Sequence, residues 1–201
     1  MRLEICSADK LRAIVKLYPN IWGGKVLDVG CRNKELRWLC PYCDYCSIDI
    51  DSSCKPDIVA DIETWSDDKN AFGIVVALDV LEHTNNICAA FKRICRVSLR
   101  HVLISLPNLY YWKHRLRFLF GKNHSGKYGL PIIGGCNADR HRWLFTLPNA
   151  RDFVYAYASA CNFRIVEEVC LAGPRYRYLR FLPRRWPTLF AQTYVVLLER
   201  R

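Results

Sequence analysis

Carboxylates close four successive apolar segments in the first half of the chain. Asp28 precedes Gly30 at the end of one segment, Asp49 ends the second, and Asp61 and Asp79 follow the next two. The carboxyl ends of neighbouring parallel strands meet at one edge of a sheet, and open α/β sheets bind their ligands there. A glycine directly after a strand also lets the backbone turn sharply and approach a ligand closely. The spacing therefore predicts one crevice lined by these acids.

The turn at Gly30 selects against one class of nucleotide. A nicotinamide-binding fingerprint needs three glycines, G-x-G-x-x-G, so that a pyrophosphate can lie on a helix N-terminus. Residues 30–35 read Gly-Cys-Arg-Asn-Lys-Glu and contain only the first of these glycines. The turn therefore disfavours a dinucleotide and leaves open a nucleoside ligand without a pyrophosphate.

Two of the acids have alternative structural roles. Asp49 lies 19 residues after Gly30, near the spacing at which a carboxylate accepts hydrogen bonds from both hydroxyls of a ribose. A solvated acid in a turn explains Asp49, or its neighbour Asp51, equally well. Asp61 could accept from an adenine amino group while Ile62 covers the ring, or it could cap a helix N-terminus. The spacing alone leaves these alternatives open.

The elements that must hold these residues alternate between strand and helix. Residues 72–78 are an apolar run without polar alternation, which is typical of a strand with both faces covered. The alternation predicts an α/β fold, with an open, mostly parallel sheet. The predicted strands are 25–29, 46–50, 57–60, 72–78, 101–106, 162–171 and 192–199. The predicted helices are 8–18, 86–97 and 149–160, and residues 33–39 could form one or two helical turns.

Length and composition limit the class of protein. The 201 residues suit one compact domain, and a 51% hydrophobic content is too high for a disordered chain. No apolar run approaches the ~20 residues that a membrane-spanning helix needs. Charges at Arg2, Glu4, Asp9 and Lys10 leave the N-terminal segment without the apolar core of a signal peptide. We therefore expect a single domain over residues 1–201, located in the cytoplasm.

Positive charge is concentrated in the second half of the chain. Residues 1–109 contain 14 Lys+Arg and 14 Asp+Glu, whereas residues 110–201 contain 16 and 5. The excess favours an acidic partner: an acidic small molecule, a nucleic acid or an anionic membrane surface. Residues 109–120 combine cations with aromatic rings and, as a helix, could lie on an anionic membrane or cover a binding site. Residues 175–185 could bind phosphate groups or form a solvated basic loop.

Five motifs in the first half of the chain resemble, in order and spacing, those of class I S-adenosylmethionine-dependent methyltransferases. They are VLDVGC at residue 26, SIDID at 47, DIVADIETW at 57, IVVALDVLEH at 74 and VLISLPN at 102. The resemblance is closest to the small methyltransferases, of the methyltransferase type 11 kind, that act on metabolites, lipids and glycans. It implies a Rossmann-like sheet of seven strands with helices on both faces, which ends in an antiparallel pair at residues 163–169 and 194–199.

The resemblance also implies where the cofactor S-adenosylmethionine would bind. The implied contacts are Asp28, Gly30 and Cys31 along the methionine portion, Asp49 and Ile50 at the ribose and adenine, Asp61 and Ile62 at the adenine, and Leu78 and Asp79 near the methyl group. Arg32 stands where the family usually has glycine. Its side chain narrows the turn, and its cation could meet the carboxylate of the cofactor.

The methyl acceptor is less well defined by the sequence than the cofactor. Methyl transfer depends mainly on aligning the nucleophile with the methyl carbon, and a hydroxyl acceptor benefits from a base. His83 follows the fourth strand, and His141 lies in residues 139–145, which are similar to a D-x-H-x-R-x-F stretch of the family. Either histidine could instead make a structural hydrogen bond. We predict a small or lipid-linked acceptor, methylated at oxygen and carrying an acidic or phosphate group, under a lid formed by residues 109–148.

Two motifs are weak candidates for metal sites. Some methyltransferases of the ubiquinone pathway and of RNA ends hold a divalent cation through a Glu-x-x-Glu-His stretch, which Asp79, Glu82 and His83 match except at the first position. The LEH triplet is also widespread in metal-free relatives. The Cys-x-x-Cys-x-x-Cys run at residues 40–46 lacks a second pair, and a structural zinc needs four closed ligands. We predict no bound metal, and we expect most cysteines to be reduced and buried.

Two other functions remain open from the sequence. The basic second half could serve a nucleic-acid methyltransferase that acts on RNA, although residues 106–108, Leu-Pro-Asn, do not match an Asn-Pro-Pro-Tyr-like motif for holding a base. A non-catalytic relative that binds the cofactor or serves as a scaffold is the third alternative, and Arg32 is its basis. We favour the methyltransferase that acts on a small or lipid-linked molecule.

Overall fold

The computed structural model describes residues 1–6, 9–66, 71–122 and 140–201, which form one sheet with helices around it. The strands are β1 (Arg2–Ile5), β2 (Lys25–Val29), β3 (Asp44–Asp49), β4 (Ile58–Val59), β5 (Phe72–Leu78), β6 (Ser98–Pro107), β7 (Phe163–Ala172) and β8 (Ala191–Arg200). The helices are α1 (Lys10–Leu17), α2 (Glu35–Leu39), α3 (Ile87–Val97), α4 (Trp112–Leu119), α5 (Leu147–Ala160), α6 (Phe181–Arg185) and α7 (Pro187–Phe190).

The strands follow the order β1-β7-β8-β6-β5-β2-β3-β4 across the sheet. Every neighbouring pair is parallel except the two pairs of β8, which runs antiparallel to β6 and to β7. This confirms the predicted α/β fold, with a Rossmann-like, mostly parallel sheet and a final antiparallel pair. The carboxyl ends of β1 to β7 consequently share one edge of the sheet with the start of β8.

Both faces of the sheet are covered, as the lack of alternation in β5 predicts. Val75 and Ala77 belong to a buried cluster that also contains residues of α3 and α5. Ile74 and Val76 belong to a second cluster, with residues of α1 and α2. All four side chains are fully buried, and burial of each valine or isoleucine stabilises the fold by roughly 1.5–3 kcal/mol. The packing of β5 on both faces therefore fixes the position of the residues at its carboxyl end.

β1 is an eighth strand that the sequence analysis did not predict. It pairs in parallel with β7, from Arg2 beside Val169 to Ile5 beside Ala172. Its four residues alternate between polar and apolar types and form an outermost strand of the sheet. No apolar run therefore marks them as a strand. Within the part of the chain that the structure describes, the sheet therefore has eight strands where seven were predicted.

The basic and aromatic segments of the second half are more helical than the sequence analysis predicted. α6 and α7 occupy residues 181–185 and 187–190, in and just after the segment 175–185 considered as a loop, and residues 112–119 form α4 within the segment 109–120 considered as a helix. α4 follows the carboxyl end of β6, and α6 and α7 connect the end of β7 to the start of β8. Pro107 of β6 pairs with Thr193 of β8, so both segments lie at the edge that holds the ends of the parallel strands. Of the predicted lid, residues 109–148, the structure describes 109–122 and 140–148.

No helix within the described ranges is long and apolar enough to cross a bilayer. The longest of them, α5, has 14 residues, whereas a membrane span needs about 20. The cytoplasmic location expected from the N-terminal charges stays a prediction.

Candidate functional site

The turn after β2 is shaped so that only glycine fits at its first position. Gly30 has a φ of +70°, in the left-handed region that side chains disfavour. Its amide donates to the carbonyl oxygen of Ile48 at 2.8 Å, which ties the turn to β3. A Cβ added at Gly30 would lie 2.6 Å from Cγ2 of Val80, much closer than two non-bonded carbon atoms approach. Because Gly30 has no side chain, a ligand at this turn can approach the backbone closely.

Asp49 ends β3 and lies beside this turn. Its Oδ2 accepts a hydrogen bond from the amide of Arg32 at 3.3 Å, and its Oδ1 accepts from the amide of Asp51 at 3.0 Å. The side chain of Ile50 is 68% exposed and leaves an apolar surface uncovered next to the carboxylate. The structure therefore brings together a close backbone turn, a carboxylate and an apolar surface, which are the parts that a nucleoside site needs.

Asp28 of β2 is a buried carboxyl group two residues before Gly30. The hydroxyl of Tyr45, a partner that the sequence analysis missed, donates to its Oδ2 at 2.7 Å. Burial raises the pKa of Asp28 to about 7; the hydrogen bond from Tyr45 opposes this rise and the charge of Asp49 adds to it. Burial also raises the pKa of the Cys31 thiol to about 11. The carboxyl group that leads into the turn therefore titrates near neutral pH, whereas the thiol stays protonated.

The raised pKa of Asp28 predicts a pH dependence of stability. An aspartate of an unfolded chain titrates near pH 3.9, so from there to about pH 7 the folded chain holds a proton that the unfolded chain has lost. The free energy of unfolding therefore falls as the pH rises, by about 1.4 kcal/mol between pH 6 and pH 8 from this group alone. Asp28→Asn should remove this part of the fall. Urea unfolding of both chains at the two pH values measures it, and an equal fall in both would contradict the assignment.

Asp61 and Ile62 follow β4, and both side chains contact other residues of the protein. Oδ1 of Asp61 accepts from the amide of Glu63 at 2.9 Å, which makes a local turn of the capping kind that the sequence left open. Ile62 is 6% exposed and packs in the buried cluster beside β5. Glu63, another residue that the sequence analysis missed, accepts from the amides of Asn85 and Asn86 at 2.5 and 2.9 Å. The adenine contact assigned to Asp61 and Ile62 stays a prediction.

Asp79 follows β5 in a left-handed backbone conformation, with a φ of +55°. Its Oδ1 accepts from the hydroxyl of Ser105 at 2.7 Å, and its Oδ2 pairs with the ammonium group of Lys10. Both side chains of the ion pair are about one third exposed, so solvent screening keeps its contribution to stability small. Its structural effect is to hold the start of α1 at the sheet edge, beside Asp79 and the half-buried Leu78.

Glu82, His83 and His141 form a cluster directly after this edge. Glu82 is fully buried, and its Oε1 lies 3.9 Å from Nε2 of His83. The rings of His83 and His141 meet edge to face, with their centroids 4.5 Å apart. The two histidines that the sequence offered as bases therefore lie at one place in the fold.

Main-chain hydrogen bonds hold the two segments of this cluster together. The carbonyl oxygen of Glu82 accepts from the amide of Arg142 at 2.7 Å. Nδ1 of His83 is hydrogen-bonded to the carbonyl oxygen of Arg140 at 3.1 Å, across 57 residues of sequence. Asp139, the first residue of the predicted D-x-H-x-R-x-F stretch, lies outside the described residues. The position of His141 is thus set by backbone contacts as well as by its neighbouring ring.

The same three side chains form the group, among the described residues, that could hold a metal ion. One ligand atom from each of Glu82, His83 and His141 lies within 4.8 Å of the others. One carboxylate and two imidazoles suit a divalent transition ion such as Zn²⁺ or Mn²⁺ better than Mg²⁺. Asp79, which begins the sequence motif, is bonded to Ser105 and Lys10 instead. The expectation that no metal is bound stays a prediction.

The cysteine run at residues 40–46 does not bring its sulfur atoms together as a metal site. Within the described ranges, no cysteine belongs to a group of ligand atoms close enough to hold an ion. Sγ of Cys43 donates to the carbonyl oxygen of Cys40 at 3.0 Å. Burial raises the pKa of the Cys40 thiol to about 11. The described cysteines are free thiols, and half of them are buried, which agrees in part with the expectation of reduced, buried side chains.

A surface cavity lies at the opposite edge of the sheet. Its lining includes Met1, Tyr155 and the start of β7, residues 163–168. None of the predicted cofactor or base residues contributes to it. Because β7 begins where the parallel strands begin, this cavity is separate from the edge that carries Gly30 and Asp49.

Arg32 occupies a conformation that favours glycine. Its φ is +41°, in a region where a side chain costs roughly 1–2 kcal/mol. We expect Arg32→Gly to raise the free energy of unfolding by roughly 0.5–1 kcal/mol, because the extra freedom of glycine in the unfolded chain offsets part of the gain. Arg32→Ala keeps the Cβ and is the matched control, which should give no stabilisation. Denaturant titration of the three chains measures the effect, and equal stability of all three would contradict it.

The chain matches one protein family over most of its length. The model of a family described as a methyltransferase domain matches residues 5–167. None of the curated protein sequences matches the chain.

Solved structures of methyltransferases share the fold. Magnesium protoporphyrin IX methyltransferase (ChlM) from Synechocystis PCC 6803, with bound SAH, is 15% identical; the match covers 96% of this chain and 81% of that one, with a TM-score of 0.60. A SAM-dependent methyltransferase from Archaeoglobus fulgidus is 16% identical, with 94% and 93% covered and a TM-score of 0.60. The small RNA methyltransferase HEN1 is 15% identical, with 94% of this chain but 24% of that one covered and a TM-score of 0.65. At these identities the likeness establishes the fold.

Proposed function

The chain belongs to the methyltransferase domain family, and from this premise we propose that it transfers a methyl group from S-adenosylmethionine to an oxygen of a small or lipid-linked acceptor that carries an acidic group. The observation that carries the proposal is the Gly30 turn beside the Asp49 carboxylate at the sheet edge. S-Adenosylmethionine supplies a methyl group on a sulfonium that is already a good leaving group. The chain itself must hold the donor, orient the acceptor and take up its proton.

The strand ends would hold the donor. Asp49 would accept from the ribose hydroxyls, and the exposed Ile50 would cover one face of the adenine. Asp28 has a pKa of about 7 because it is buried. The ammonium group of the donor, placed beside Asp28, would favour the charged form of this carboxyl group. The guanidinium of Arg32 would face the donor's carboxylate at the other side of the turn. Asp28 would thus face the ammonium group of the donor's amino-acid portion, and Arg32 would face its carboxylate.

His141 is the residue we propose as base for the acceptor hydroxyl. The ring of His83 is held from both sides, by the carbonyl of Arg140 at Nδ1 and by the Glu82 carboxylate 3.9 Å from Nε2. This arrangement suits a positioning role for His83, which meets the His141 ring edge to face. His141 is less buried than Glu82 and lies within the predicted lid, residues 109–148, so it suits contact with the acceptor.

Charge supports an acceptor with an acidic group. The two segments that border the site, residues 108–122 and 173–192, contain nine Lys and Arg and no Asp or Glu. Residues 109–148 would then serve as the lid, with Arg115 and Arg117 exposed on α4. A positive surface of this kind raises the local concentration of an anionic substrate.

The test is transfer of a labelled methyl group to unfractionated material. The purified chain is incubated with S-adenosylmethionine labelled in the methyl group and with a cell extract, which is then separated into organic, aqueous and RNA fractions. We expect label in the organic or small-molecule fraction, in a product that resists mild alkali as a methyl ether does. Label that ribonuclease releases would favour the RNA alternative. Binding of S-adenosylhomocysteine without any transfer would favour the scaffold alternative.

A further inference from the structure

Two segments at the sheet edge meet to form a surface that we call the basic-aromatic face, made of residues 112–122 and 174–186. Nε1 of Trp112 in α4 donates to the hydroxyl of Tyr176 at 2.5 Å, which joins the two segments. Tyr176 also packs edge to face on Phe190 of α7, with ring centroids 5.6 Å apart. From the sequence alone, an interfacial element is expected only in the first segment. The structure adds the second, which brings five more arginines to the same part of the molecule.

The basic-aromatic face exposes large apolar side chains among its cations. Phe118, Leu119 and Phe120 are 78%, 74% and 70% exposed, and Tyr178 and Phe181 are 89% and 60% exposed. Leu116, Leu179 and Trp186 are exposed as well. A single exposed apolar residue is ordinary, whereas a group of them on neighbouring segments marks a surface that contacts something else.

We propose that the basic-aromatic face docks on an anionic lipid bilayer. Elements that lie in a bilayer interface combine Lys and Arg with Trp, Phe and Leu, which is the composition found here. RNA would also attract the cations and could stack on the aromatic rings. The exposed Leu116, Leu119 and Leu179 cannot bond to a phosphate and contact a base less strongly than an aromatic ring does, whereas they can enter the acyl boundary of a bilayer. The leucines therefore favour the bilayer over RNA as the partner of this face.

The position of this face connects it to the methyl-transfer site. α4 follows β6, and Ser105 near the end of β6 bonds to Asp79. α6 and α7 return the chain to β8, whose start pairs with the end of β6. A bilayer against this face would present headgroups to the edge that holds the donor. The inference thus rests on the proposed function and names its acceptor class: a lipid-anchored molecule with an anionic headgroup, methylated while it stays in the membrane.

Vesicle flotation with the full chain tests the proposal. The vesicles consist of phosphatidylcholine alone or of equal parts of phosphatidylcholine and phosphatidylglycerol. We expect the chain to float only with the second kind, and less so as salt is added. The double variant Arg184→Glu/Arg185→Glu should lower the partition coefficient at least about tenfold. Arg100→Glu/Arg201→Glu makes the same charge change at the opposite edge of the sheet and should alter it by less than about twofold.

A second variant separates apolar insertion from charge attraction. Phe118→Ser/Phe120→Ser removes two exposed rings without disturbing the core and should lower partition at every salt concentration. A wild-type chain that floats with neither kind of vesicle overturns the proposal, and so does salt-sensitive binding to single-stranded RNA without vesicle binding. Affinity for S-adenosylhomocysteine is measured on the same preparations. Retained cofactor affinity without flotation overturns only the membrane surface, whereas flotation without cofactor affinity overturns the proposed function on which the acceptor class rests.

Discussion

Replacing Asp49 by alanine should weaken the binding of S-adenosylhomocysteine by about 30- to 1,000-fold. The carboxylate would accept hydrogen bonds from two ribose hydroxyls, and losing such charge-assisted bonds costs roughly 2–4 kcal/mol for the pair. Asp49 already lies beside the Gly30 turn, with its oxygens 3.3 and 3.0 Å from the amides of Arg32 and Asp51. Isothermal titration calorimetry of the wild-type and variant chains measures the change directly.

The neighbouring aspartate provides the matched control for this experiment. Asp51 is exposed and accepts from the amide of Ser53 at 2.9 Å, so Asp51→Ala should change the cofactor affinity by less than about twofold. Thermal unfolding of both variants shows whether the turn stays folded after Asp49 loses its amide partners. Unchanged affinity in Asp49→Ala together with a loss in Asp51→Ala would move the ribose contact to Asp51. Unchanged affinity in both would refute a nucleoside site at this edge.

The turn and its acids could be predicted from the sequence because their signals are local. Gly30 and Asp49 each follow an apolar run directly, and a parallel sheet brings such strand ends to one edge whatever the rest of the chain does. Asp79 is also found in this way, at the end of β5. What the local pattern cannot supply is each acid's partner within the protein. Asp61 shows this, since its turn with Glu63 depends on backbone geometry that composition does not record.

The partners of the buried and paired acids come from distant parts of the chain. Lys10 reaches Asp79 across 69 residues, and Tyr45 reaches Asp28 only because β3 pairs with β2. The strand β1 was missed for a related reason, since its alternating residues gain their partner from β7 at the other end of the chain. Contacts of this kind are fixed by strand order, which the sequence pattern of any one segment does not contain.

Helix formation in the basic segments was the other point that the sequence left undecided. Residues 109–120 contain helical spacing of cations, but no apolar stripe marks a face for the core, and the helix that forms, α4, has no buried side chain. Its contact with Tyr176 joins it to a segment 64 residues away in sequence. The composition of each segment can be read from the sequence. Their union into one surface depends on the fold.

His141→Ala should lower kcat for methyl transfer by about 10²- to 10⁴-fold, the range expected when a general base is removed. The acceptor is the one identified by transfer of the labelled methyl group. The affinity for S-adenosylhomocysteine should stay within about twofold, because His141 belongs to the acceptor side of the site. His101→Ala is the matched control, since it removes a histidine at the opposite edge of the sheet, where that ring lies 3.6 Å from Glu199. It should leave kcat unchanged.

The loss at His141 has a competing explanation that the same assay resolves. His141 shares its site with Glu82 and His83, whose ligand atoms lie close enough to hold a divalent ion. If His141 acts as a base, wild-type turnover should survive EDTA, and His83→Ala should cause a smaller loss than His141→Ala because His83 only positions its neighbour. Turnover that disappears in EDTA and returns with Mn²⁺, together with equal losses in both variants, would instead assign the two rings to a metal. The chelator arm therefore separates proton transfer from metal binding with one set of proteins.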